Sequence, residues 1–205
     1  MIPEGVVVLT DRRMARRSLV ETVAASVEGG ARWLVLRERD MVPEERAALA
    51  ADLRAVLADS GGRLIVAGPD PLGGSAVHLA AAGPYPPPDL ALVGRSCHDE
   101  GELSRLTTEH YAMVSPVFPT PSKPGYGPPL GLDGLARLAA HSPVPVLALG
   151  GVTPANAAAC IAAGAAGVAV MGAVMRADDP AAVVDDLRGA TLSVRTPAGE
   201  GGVWS

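Results

Sequence analysis

Aromatic residues make up only 3% of this 205-residue chain, and cysteines number two. So few aromatics, a formal charge of −5 and the lack of basic clusters beside aromatic ones exclude nucleic acid as the expected partner. No run reaches the roughly 18 uninterrupted apolar residues of a membrane span, and the N-terminus lacks the basic-then-apolar order of a secretory leader. A soluble cytoplasmic protein with no membrane partner is expected. Cys97 and Cys160 match no metal-ligand spacing, so the expectation is a pair of reduced thiols without a redox role.

What is present is aliphatic. Apolar residues reach 48%, which allows a large core of Ala, Val and Leu, suited to helices packed closely on a buried parallel sheet. Short β-branched runs alternate with alanine-rich helical patterns. Strands are predicted near 5–9, 33–37, 63–67, 76–79, 91–95, 111–114, 145–149 and 167–171, and helices over 18–29, 43–58, 99–107, 131–140, 153–163 and 180–188. Ser18, Asp99 and Thr153 stand where N-caps belong, Pro43 and Pro154 suit a first helical turn, and Gly29-Gly30 suits a helix stop.

Eight such strands, with no dinucleotide fingerprint after the first, predict an α/β protein with one closed (β/α)8 TIM barrel. The barrel is assigned to residues 1–190, and 191–205 to a flexible C-terminal tail. PDPLGGS at 69–75 and the Pro86-Pro87-Pro88 run leave little room for helices, so the links around strands three to five are expected to be shortened or irregular.

The active face of such a barrel lies at the carboxyl ends of its strands. After strand six the chain reads VSPVFPTPSKPGYG from Val114 to Gly127, a proline-stiffened loop presenting Thr120, Ser122 and Lys123 to an anionic ligand. After strand two, Arg37 and Arg39 stand two apart, which in extended backbone puts both guanidinium groups on one side. The alternative is that Arg37, Glu38, Arg39 and Asp40 pair with one another at the surface. After strand five come Ser96 and His98, the latter either a proton carrier or a local helix cap. Gly150-Gly151 after strand seven and Met171-Gly172 after strand eight, each ahead of a helical pattern, fit a phosphate cup made of backbone N–H groups.

Five segments together resemble the thiamine phosphate synthase and TenI family: LVLRERD at 34–40, VGRSCH at 93–98, SPVFPTPSKPGYGPPLG at 115–131, LALGGVTPAN at 147–156 and AGAAGVAVM at 163–171. The resemblance covers residues 5 to about 188. It implies a (β/α)8 barrel in a small homo-oligomer, acting on phosphorylated thiazoles. Synthases of this family join a hydroxymethylpyrimidine diphosphate to a thiazole phosphate using Mg²⁺ and release diphosphate, whereas the TenI branch isomerises a thiazole carboxylate phosphate. Carried over by position, Arg37, Ser96 and Lys123 would contact the diphosphate, and Thr120, Ser122, Gly151, Met171 and Gly172 the thiazole phosphate.

The departures are specific. The family's Asn-Asp after strand three is Ala67-Gly68 here, and the Asp expected after His78-Leu79 is replaced within Ala80-Ala81-Ala82-Gly83. Both expected magnesium carboxylates are therefore missing, with Asp70 and Asp89 as the nearby acids that could return one from a shifted loop. The TenI histidine aligns with Pro116. The first expectation is a TenI-like thiazole isomerase or divergent thiamine-pathway enzyme, with Lys123 and His98 as candidate catalytic residues and no metal ligand assigned. A thiamine phosphate synthase, the only reading that calls for Mg²⁺, is the alternative. A barrel that binds a phosphorylated ligand without turnover is the third.

Overall fold

Alternation of side chains along each short strand gives every strand two buried faces, one toward the barrel axis and one toward the helices. The computed structural model describes residues 2–120 and 128–194. Its strands are β1 (Gly5–Leu9), β2 (Trp33–Leu36), β3 (Arg63–Ala67), β4 (Ala76–Leu79), β5 (Leu92–Cys97), β6 (Tyr111–Val114), β7 (Val146–Leu149) and β8 (Gly167–Val170). All neighbours pair in parallel and β8 pairs back with β1, from Gly5 opposite Gly167 to Val8 opposite Val170, closing the barrel. The chain is a (β/α)8 barrel.

The inner face carries Val7, Leu9, Trp33, Val35, Ile65, Tyr111, Met113, Leu147 and Ala169, which form one buried cluster. Gly94 belongs to this face because an added Cβ would lie 2.0 Å from the Tyr111 ring, which fills the space opposite β5. The outer face, with Val6, Val8, Leu34, Leu36, Leu64 and Val66, packs beneath the helices.

Described helices are α1 (Leu19–Glu28), α2 (Pro43–Ala58), α3 (Glu100–Leu103), α4 (Gly131–His141), α5 (Pro154–Ala162), α6 (Gly172–Met175) and α7 (Pro180–Ser193). Ser18 and Glu21 form a capping box on α1, as Thr153 and Asn156 do on α5. None of these helices is long and apolar enough to cross a membrane.

The links β3–β4 and β4–β5 carry no helix, and arginines hold them instead. Arg54 on α2 donates to the carbonyls of Leu72 and Pro71 at 2.8 and 2.7 Å. Arg95, fully buried on the outer face of β5, donates to Ala80 O at 3.0 Å and Pro84 O at 2.8 Å, lies 3.9 Å from the Tyr85 ring centroid, and ion-pairs with buried Glu109.

Three helices depart from expectation. The helix predicted over 99–107 stops at Leu103, because the chain must turn to bring Glu109 under Arg95; Glu109 accepts from Thr107 N at 2.8 Å in that turn. The one-turn helix α6 was not anticipated. α7 runs past Gly189 to Ser193 with Thr191 buried, so 191–193 belong to the helix and not to a tail.

Candidate active site

The carboxyl ends of the strands surround a cavity of about 550 Å³. Of the residues singled out from sequence, Arg37, Arg39, Ser96, Thr120, Gly150, Gly151, Met171 and Gly172 all line it. Ser122 and Lys123 lie outside the described residues. His98 does not line the cavity: its backbone N–H and its Nδ1 both meet the Glu102 carboxylate, at 2.7 and 2.8 Å. Strand β5 ends at Cys97 and Asp99 caps α3, so the imidazole is captured one helical turn ahead instead of continuing the inward series of Gly94 and Ser96.

The glycine pair after β7 has left-handed backbone, with φ of 101° at Gly150 and 65° at Gly151. A Cβ at Gly150 would come within 2.8 Å of Pro116 Cα, and one at Gly151 within 2.7 Å of Phe118 Cβ and Pro119 O. Glycine is thus required twice over, by conformation and by the proline-rich loop packed against it. Val117 N donates to Leu149 O at 2.9 Å and Phe118 N to Gly150 O at 3.0 Å, which fixes the start of that loop to the cup. Gly151, Val152 and Thr153 bring the N-terminal, positive end of α5 to the cavity.

The charges after β2 are sorted by direction. Arg37 and Arg39 face the cavity, whereas Glu38 and Asp40 are taken by arginines of the β1–α1 link. Arg12 contacts Glu38 at 3.1 Å and Asp40 at 2.6 and 2.9 Å, and Arg13 contacts Asp40 as well. The hydrogen bond from Arg12 holds the Asp40 carboxyl at about 2, below the ordinary carboxylate range. The pairing envisaged within the four-residue run is therefore replaced by pairing with Arg12 and Arg13. Arg37 itself meets Met171 Sδ and stands 3.6 Å from Asp11, and Arg39 makes no ion pair among the described residues.

Two cavity residues escaped the sequence reading. His78, buried at the inner end of β4, shares Nε2 with Ser96 Oγ at 2.9 Å and Nδ1 with Tyr111 Oη at 3.2 Å. Burial, helped by the charge of Arg95, drops its pKa to about 3, so the ring is neutral at physiological pH. Arg176 also lines the cavity; its guanidinium lies against Gly172, where a Cβ would stand 2.4 Å from Nη2. The signal available was the i, i+4 spacing of Gly172 and Arg176, visible only once α6 is known to be helical.

Magnesium does not fit this donor set. A hard dication needs several oxygen ligands, usually with carboxylates among them, and among the described residues no Asp or Glu lines the cavity. No group of three or more His, Cys, Asp or Glu able to hold a metal exists among the described residues. Segment 121–127, PSKPGYG, contains none of these residue types. Asp70 accepts instead from Leu72 N at 2.8 Å, closing its own turn, and exposed Asp89 does not reach the cavity.

Comparison with known proteins agrees with this architecture. The family model described as thiamine monophosphate synthase matches residues 6–174. The thiamine-phosphate synthase of Roseiflexus sp. (strain RS-1) is 35% identical, the match covering 92% of this chain and 85% of that one. The thiamine-phosphate synthase of Moorella thermoacetica is 32% identical over 89% and 92% of the two chains. Among solved structures, thiamine phosphate pyrophosphorylase from Pyrococcus furiosus superposes with a TM-score of 0.82 at 26% identity, covering 94% of this chain and 97% of that one. A match across most of the chain, on the barrel whose strand ends carry the glycine cup and Arg37, places the protein in the thiamine monophosphate synthase family.

Proposed function

We propose that the protein is a thiamine-pathway transferase that joins a pyrimidine-methyl diphosphate to a thiazole phosphate. The observation that carries this reading is the polarity of the cavity wall. Arg37, Arg39 and Arg176 line it together with the Gly150-Gly151 turn and the residues leading into α5, and no Asp or Glu among the described residues does. Two anionic groups, one on each substrate, are what such a wall accommodates.

The chemistry asks for no proton transfer. The methylene–oxygen bond of the pyrimidine diphosphate breaks with both electrons leaving on diphosphate, and the thiazole nitrogen lone pair closes the new carbon–nitrogen bond, leaving a thiazolium. Guanidinium donors steady the leaving oxygens as their charge develops, and the glycine turn holds the thiazole phosphate so that its nitrogen faces the methylene carbon. The neutral His78–Ser96 pair offers polar contact without competing for protons.

The isomerase expectation fares worse on the same wall. Removing and returning a ring proton needs a base near neutral pH. The imidazole on the cavity wall, His78, protonates at about 3 and has both nitrogens engaged. His98 stands elsewhere, bound to Glu102.

The test is product analysis by mass spectrometry and NMR, with thiazole phosphate plus pyrimidine diphosphate in one reaction and thiazole carboxylate phosphate alone in another. Thiamine phosphate and diphosphate in equal amounts are expected from the first. An isomerised thiazole from the second would reinstate the isomerase. Tight thiazole phosphate binding with neither product would leave a binding protein.

A further inference from the structure

We propose that this chain holds the diphosphate of its ligand with Arg37, Arg39 and Arg176, and needs no divalent cation to bind it. The identity of the ligand rests on the transferase reading; the cation independence rests on the wall itself. In a protein of net charge −5, the cavity lining holds three arginines and no acid among the described residues. Arg12 takes Glu38 and Asp40, and Asp11, 3.6 Å from Arg37, lines not this cavity but a smaller adjoining pocket of about 220 Å³ that Arg37 and Arg39 also border.

Arg39 and Arg176 are not balanced from within. Arg39 has no ion pair among the described residues, and Arg176 meets the Met14 sulfur at 3.3 Å, a weak acceptor that carries no charge. A guanidinium offers a planar fork of donors that matches phosphate oxygens two at a time, so these groups can bind and neutralise a polyanion as a dication would.

The place where a cation would seek ligands is taken as well. Arg46 on α2 directs Nη2 at Ala67 O at 2.6 Å and Arg37 O at 3.0 Å, so the carbonyls at the ends of β2 and β3 already accept from a positive charge. A dication beside Ala67 would face Arg37, Arg39 and Arg46, and the two carboxylates that act on Arg46, Glu38 and Asp70, are already engaged by Arg12 and by Leu72 N.

Titration calorimetry with inorganic diphosphate tests this on the whole chain, in EDTA and again in millimolar magnesium. Binding in EDTA, not strengthened by magnesium, is expected. Arg39→Ala and Arg176→Ala should each weaken it about tenfold or more, while Arg63→Ala, at the exposed start of β3, should leave it unchanged. Thermal melts confirm that these variants fold. Binding only with magnesium, binding in neither buffer, or affinity indifferent to both cavity variants overturns the proposal. Failure of the transferase reading reads differently: diphosphate would still bind in EDTA through the arginines, but no thiamine phosphate would form.

Discussion

His78 shows how much of the site is decided by the surroundings of one side chain. It is buried between Ser96 and Tyr111, and its ring stacks on Tyr111 with centroids 5.6 Å apart. The folded state resists protonating it until about pH 3, whereas the ordinary value is 6.5. Below pH 6.5 the unfolded chain therefore binds a proton that the folded chain refuses, and stability falls as pH falls, by up to about 1.4 kcal/mol per pH unit. Urea unfolding at pH 7.5, 6.0 and 5.0 should show this slope in the native sequence and lose it in His78→Gln. An equal slope in both proteins would assign it to another group. None of this is legible in the sequence, where His78 is one polar residue in an apolar run; only the neighbours on β5 and β6 give it a role. Arg37 and Arg39 were readable because their two-residue spacing and their place after β2 need no tertiary partner to interpret. Arg12, which draws Glu38 and Asp40 away from them, sits 26 and 28 residues earlier in the chain and carried no such signal.

At the scale of elements, alternation and capping residues located the strands to within a residue or two, and the proline and glycine clusters of 69–88 announced that two helices would be absent. What replaces them could not be read, because it depends on a buried charge. Arg95 ties down Ala80 and Pro84 and is itself neutralised by Glu109, both side chains being fully buried. Truncating one member of such a pair strands the other charge without water or partner, at a cost of about 3–5 kcal/mol. Arg95→Met should therefore lower the unfolding free energy by about that much, measured by urea titration. The double variant Arg95→Met/Glu109→Leu should recover part of the loss, because no orphaned charge remains. Additive losses in the double variant would mean that the arginine acts only by holding the 80–86 segment. Because Ala80 lines the cavity, both variants should also weaken substrate binding, although neither Arg95 nor Glu109 lines it.

For the molecule as a whole, the sign of the charge changes with distance. From afar an anionic substrate meets a chain of net charge −5, but inside the cavity it meets arginines and the positive end of α5. Salt acts on the two in opposite senses. It screens the distant repulsion, which falls away over a Debye length of about 10 Å at 0.1 M, and it also competes with the contacts made in the cavity. The contacts dominate, since they act at hydrogen-bond range in a partly enclosed space where screening is least complete, while the net negative charge of the chain acts from farther away. Affinity for inorganic diphosphate should therefore fall as KCl rises, with a gentle slope because the relieved repulsion offsets part of the loss. Removing one cavity cation by Arg176→Ala should flatten that slope further, and removing an outward acid by Asp185→Asn, exposed on α7, should steepen it. Calorimetric titrations across a salt series in the three proteins decide the matter. Affinity that rose with salt in the native sequence would mean that the outer field, and not the arginine wall, governs how the substrate is held.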